Sequence, residues 1–176
     1  MERLAVGERV ITRDNGLQVI RWIGHRVMGV ADFTANAHLA SVRIAKGALG
    51  NDLPERDMMV SPNHRILVAN DKTALHFEDS EVLVAAKHLT GLVGVEIVQN
   101  IATSYLHLMF DAHEVLLSDG CWSESFQPDV AALVGVGNAQ RIEILEVFPE
   151  LATKEGIARY TPARRSASRR EAALLK

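Results

Sequence analysis

The sequence predicts a mainly β fold that ends in a short helical stretch, and three observations predict it. From Arg9 to Leu117 short apolar runs recur between turn residues, several of them alternating or rich in valine and isoleucine, as the strands of a sandwich or barrel do. Beyond Phe126-Gln127-Pro128 the composition turns helical. With 176 residues, 48% hydrophobic and 23% charged, the chain is long enough to bury a real core and has an ordinary globular composition.

Taken in order, the opening run Leu4 to Thr12 leads into Arg13-Asp14-Asn15-Gly16, where Asn-Gly signals a hairpin. Gln18 to Gly24 alternates, and the pattern resumes from His25 to Val30, so one long strand is expected with Gly24 as a bulge or kink. Ala31 to Leu39 shows no period. Val42 to Ala45 reads as a short strand closed by Lys46-Gly47 and the loop Gly50 to Pro54. Met58-Met59-Val60 and Arg65 to Ala69 flank Ser61-Pro62-Asn63-His64, and a turn is expected at Asn70-Asp71. Glu81 to Leu89 begins as a strand and is ambiguous beyond, because alanine and lysine favour helix where valine favours strand.

Val93 to Val98 and Ser104 to Phe110 read as a strand pair, and Glu114 to Leu117 as one more strand before Ser118-Asp119-Gly120. Asp129 to Val136 is apolar but interrupted by glycine. Ala139 to Phe148 is a helix with Asn138 as its N-cap, Pro149 as its stop and Ile142, Leu145 and Phe148 along one apolar face. Pro162 to Leu175 reads as a second, basic helix. The expected division is a β domain over residues 1–126 and a helical C-terminal extension over 127–176.

Net charge is −3, but the eighteen residues from Arg159 carry Arg159, Arg164, Arg165, Arg169, Arg170 and Lys176 against Glu171, so this end is +5 and the rest −8. A basic tail on an acidic body either docks on it, stands in solvent or reaches for an anionic partner. It has no aromatic platform or recognition motif, so no nucleic-acid partner is expected. No apolar run has the length of a membrane helix or signal core, and the chain as written reads as cytoplasmic, or secreted if it belongs to a longer polypeptide. One cysteine, Cys121, excludes an intramolecular disulfide and a multi-cysteine metal site.

The best candidate for chemistry is His64. Pro62 fixes φ and Asn63 tolerates turn geometry, so Ser61 to Asn63 bends the backbone and delivers His64 at the mouth of the next strand. An imidazole there exchanges protons near neutral pH. A second polar set, His107, Asp111 and His113, lies on one stretch, with the two histidines on one face if the strand is unbroken. Convergence of His64, His107 and His113 would suggest zinc, but with no cysteine partner no metal or cofactor is expected.

Several segments, in order, resemble a known family. These are Val6 to Val10 with Thr12-Arg13-Asp14; Gln18 with Ile20 to Gly24; Ser61-Pro62 with His64-Arg65; Glu81 to Val84 with Lys87-His88-Leu89; Tyr105 to Glu114; and Glu124-Ser125-Phe126. Together they resemble the bacterial branch of Hint domains, the fold shared by hedgehog autoprocessing domains and inteins. The resemblance covers residues 1 to about 126 and implies a flattened, pseudo-symmetric β fold that processes itself. In that family an N-terminal cysteine attacks the preceding peptide carbonyl, the amide becomes a thioester, and a histidine protonates the leaving nitrogen.

Family pattern Thr-x-x-His reads here as Ser61-Pro62-Asn63-His64. The resemblance therefore implies His64 as general acid, Ser61 and Asn63 positioning the scissile carbonyl, and His107 or Asp111 assisting the thiol. The sequence begins where the family has passed its cysteine-bearing first strand. The expectation is a Hint domain truncated ahead of its nucleophile and inactive as written. With an upstream cysteine it would be a single-turnover self-cleaving domain whose own upstream polypeptide is the intramolecular substrate. The alternative is a non-enzymatic β-rich interaction module on the same scaffold.

Overall fold

The computed structural model describes residues 3–99 and 101–175. Its strands and helices, in chain order, are β1 (Arg9–Thr12), β2 (Gly16–Val19), β3 (Trp22–Met28), α1 (Val30–Ala35), β4 (Ser41–Ile44), β5 (Met58–Val60), β6 (Arg65–Val68), α2 (Asp71–His76), β7 (Val82–Ala85), β8 (Val95–Val98), β9 (Thr103–Met109), β10 (Val115–Ser118), β11 (Cys121–Glu124), α3 (Val130–Gly135), α4 (Asn138–Val147), α5 (Lys154–Arg159), β12 (Ser166–Ala167) and α6 (Arg169–Ala172). The β-rich fold with short C-terminal helices is the expected one. The chain divides into two compact units, each assembled from three stretches of sequence.

The first unit holds the residues through Arg26, Leu106–Leu116 and Ser125–Ala163. Asn-Gly forms its hairpin: Gly16 takes φ +66°, and β1 pairs antiparallel with β2 from Thr12↔Gly16 to Arg9↔Val19. The long strand expected from Gln18 is instead two, β2 and β3, parted at Ile20-Arg21, whose N–H groups bond to Glu8 and Met109 carbonyls. Gly24 does not kink β3. It makes room, because a Cβ there would lie 2.1 Å from the ring of Trp22. That ring packs with Met109, Phe126, Leu133, Ile144, Phe148, Leu151 and Tyr160 in a core to which α3, α4 and α5 contribute.

Residues 127–163 thus belong to this core. Asp129 caps α3, accepting the Ala132 N–H at 2.7 Å, and turns the ambiguous apolar stretch into a helix. In α4 the N-cap is Gly137 rather than Asn138, and the buried face carries Ile144 and Phe148, while Ile142 is exposed. Three-residue spacing had pointed to Ile142; the 3.6-residue turn selects Ile144 with Phe148.

In the second unit lie Val27–Tyr105, Leu117–Glu124 and the chain from Arg164 on. Strands run in the order β12, β7, β6, β11, with β6 and β7 antiparallel from Arg65↔Ala85 to Val68↔Val82. A second sheet is β5-β4-β8. The two bury Val42, Ile44, Ile66, Val82, Val84, Val95 and Cys121 in one cluster. The expected pairing of β8 with β9 does not occur: β8 lies on β4, from Ser41↔Val98 to Ile44↔Val95, and β9 on β3. No Gly- or Pro-bearing turn separates the two runs, so only adjacency had suggested a hairpin.

Two further stretches gain structure from their caps and their docking. Asn70 does not merely turn the chain; its side chain accepts the Thr73 N–H at 3.0 Å and starts α2. The basic tail is not one helix. Ser166 and Ala167 add β12 parallel to Leu83 and Val84 of β7, α6 follows behind a Ser168 cap, and Ala172 and Leu175 enter the core. Arg164 Nε donates to Glu81 at 2.9 Å, and Arg165 stacks over Phe77. The tail's last cation, Lys176, lies outside the described residues.

Candidate functional site

Ser61 to His64 forms a tight turn between β5 and β6, closed by the His64 N–H donating to the Ser61 carbonyl at 3.0 Å. Pro62 is buried, Ser61 and His64 are half-buried, and Asn63 is exposed. The turn is gripped from outside its own strands. β7 runs into a single 3-10 turn, Ala86–His88, whose first N–H groups have no helical acceptors. Ala86 donates to the His64 carbonyl at 2.9 Å and Lys87 to the Pro62 carbonyl at 3.0 Å. The Lys87 ammonium returns to the same turn and donates to Asn63 Oδ1 at 2.7 Å.

A second clamp acts on the next residue. The β11–β6 register, Ser123↔Ile66, sets Glu124 opposite Arg65. Glu124, 9% exposed, accepts the Arg65 backbone N–H on Oε1 at 2.9 Å and a guanidinium N–H on Oε2 at 2.7 Å. The histidine thus sits on a turn whose geometry is over-determined by main-chain and charged side-chain bonds.

The remaining candidates lie in the first unit. His107, half-buried on β9, sets its ring edge-on to Phe126 at 5.5 Å between centroids. Asp111 is exposed and ion-paired with Arg21 at 2.5 Å. β9 ends at Met109 and Asp111-Ala112 is a bend, so His107 and His113 do not share a strand face. His113 is buried, with Nδ1 accepting the Ala163 N–H at 2.9 Å and Nε2 donating to the Ser125 carbonyl at 3.2 Å. Both ring nitrogens are therefore committed to the main chain, which leaves no lone pair for a metal. Among the described residues no group of three or more His, Cys, Asp or Glu side chains is placed to hold a metal ion.

A family model described as the Hint domain matches residues 1–130. The chain belongs to the Hint domain family. No curated protein and no solved structure matches it.

Within four residues this Hint domain offers a hydroxyl, a carboxamide and an imidazole, which is one group able to move a proton near neutral pH beside two able to bond a carbonyl oxygen. Its only cysteine is not part of that set. Cys121 is 5% exposed inside the second unit's core, and burial, with Asp119 and Glu55 adding to it, pushes its thiol up to about 11. Such a thiol is a packing group rather than a nucleophile. Sequence reasoning had not assigned roles to Lys87 and Glu124. Each lies in a segment that carries the family resemblance, but the partner of each is in a different segment, so spacing alone could not join them. No helix among the described residues is long and apolar enough to cross a membrane.

Proposed function

We propose that this Hint domain performs autocatalytic protein processing through an N-to-S acyl shift, with His64 as the general acid. The observation that supports the reading is the Ser61–His64 turn itself, held by Ala86, Lys87 and Glu124 in a chain of the Hint family. In the step, a cysteine sulfur attacks the carbonyl carbon of the peptide bond ahead of it. The C–S bond forms, the C–N bond breaks, the thiol proton passes to a base, and His64 protonates the departing nitrogen. Ser61 and Asn63 orient the carbonyl and bond its developing oxyanion. A second nucleophile then opens the thioester.

Because Cys121 is buried and its thiol is pushed up to about 11, the reading requires an attacking thiol supplied by a cysteine joined ahead of these 176 residues, whose own upstream polypeptide would be the substrate. These 176 residues alone do not cleave. His107, edge-on to Phe126, or Asp111, paired with Arg21, is the group that assists the thiol in this reading.

The test is a fusion of a reporter and a cysteine-bearing segment to the N-terminus, with thiol-dependent release followed over time. His64→Ala should slow release at least a hundredfold. Undiminished release would overturn the assignment. A binding module is the second reading, favoured by Ile11 and Leu17, which oppose each other across β1 and β2 and are 54% and 59% exposed. A fusion that folds, keeps its thiol free and releases nothing would favour it.

A further inference from the structure

We infer that Lys87 is a positioning residue for the cleavage: its ammonium locks the Asn63 carboxamide so that the NH2 group, not the oxygen, faces the scissile carbonyl. This rests on the acyl-shift reading above. The argument is one of donors and acceptors. A carboxamide has one oxygen that only accepts and one NH2 group that only donates, and an unconstrained exposed asparagine presents either by a half-turn of its side chain. An ammonium only donates. With Lys87 Nζ 2.7 Å from Asn63, the oxygen must point at the lysine, and the NH2 group is left on the other side of the amide.

The Lys87 main chain is anchored beside its target, because its own N–H is bonded to the Pro62 carbonyl at 3.0 Å, one residue before the side chain its ammonium reaches. One residue thus reaches two adjacent residues of the turn, which keeps the ammonium within range of the Asn63 amide. The charge has a second effect. A cation on the amide oxygen draws electron density from the nitrogen and makes its N–H groups better donors toward a developing oxyanion. Acting through Asn63, Lys87 turns an indifferent polar side chain into a prepared oxyanion donor.

Two measurements test this. In the 176-residue protein, NMR of the Asn63 side-chain NH2 should show two separate proton signals, and Lys87→Met should shift them and speed their exchange, since the ammonium strengthens the C–N bond. In the reporter fusion, Lys87→Met should slow cleavage about tenfold at every pH without moving the midpoint of the pH profile, and Lys87→Arg should restore most of the rate. Asn63→Asp, which strengthens the contact with Lys87 but has no N–H to give, should slow cleavage about a hundredfold. Lys87→Met should add nothing in an Asn63→Ala background, because the lysine acts only through the amide.

Asn63 NH2 signals unchanged by Lys87→Met, or a full additional loss in the Asn63→Ala background, would overturn the inference while leaving His64 in its role. An unsubstituted fusion that does not cleave, with an Asn63 amide that does respond to Lys87, would place the failure in the acyl-shift reading and take the oxyanion role of Asn63 with it.

Discussion

Glu124 and Arg65 face each other across β11 and β6 and are joined twice, once through the Arg65 backbone N–H and once through its guanidinium. The carboxylate is 9% exposed and the guanidinium side chain 28%. Replacing Glu124 with alanine leaves a strand N–H and a half-buried cation unsatisfied. The expected loss is about 2–3 kcal/mol, below the figure for a wholly buried pair because water reaches the arginine. Glu124→Gln keeps one acceptor for the N–H and should lose only about 1 kcal/mol. Urea unfolding of the 176-residue protein measures both.

The C-terminal stretch should behave as core rather than as a solvated tail. Leu175 is 6% exposed and Ala172 wholly buried, in the same cluster as Ile66 and Val84. Leu175→Ala should cost about 2–4 kcal/mol in a urea titration. Removing the residues from Arg164 on uncovers the edge of β7 as well, and such a protein should associate on concentration, seen by light scattering.

Cys121 sets an alkaline limit. Its thiol is held up to about 11 by burial, whereas an unfolded cysteine titrates near about 8.5. Above the unfolded value the unfolded chain gives up this proton and the folded chain keeps it. Stability should therefore fall as pH rises from about 8.5 toward 11, and the fall should be shallower in Cys121→Ala. The same thiol should resist iodoacetamide at pH 8 in the native protein and react once urea is added.

Gly24 is held by its neighbour two residues back. A methyl at this position would press into the Trp22 ring, whose Nε1–H donates to Glu143 at 3.1 Å. Gly24→Ala should cost about 1–3 kcal/mol. Measured in a Trp122→Phe background, the emission of Trp22 should move to the red as its ring leaves the core.

Much of this was legible from residue order. Asn15-Gly16 predicts its hairpin because only a few residues accept a positive φ, and Ser61-Pro62-Asn63 predicts its turn for the same kind of local reason. Local signals failed where partners are remote. The strand partner of β8 is over fifty residues earlier in the chain, and β12 is written in a sequence whose arginines and alanines favour helix; it becomes a strand because β7 presents an edge beside it. The site divides in the same way. His64 could be found from its turn, while Lys87 and Glu124, 24 and 59 residues from their partners Asn63 and Arg65, become visible only when the sheet brings them across.

Each unit is bonded together by residues that come late in the chain: in the first Trp22 waits 121 residues for Glu143, and in the second Arg65 waits 59 for Glu124 and Glu81 waits 83 for Arg164. At about 5–20 residues per second, a ribosome that has just made His64 needs roughly 5–20 s more to deliver the strand and helix that steady its sheet. A nascent chain would carry His64 well before its turn is fixed in place. Under the proposed acyl shift, cleavage of a cysteine-bearing fusion would be timed by the completion of this chain, and a fusion truncated before Glu124 would stay uncleaved.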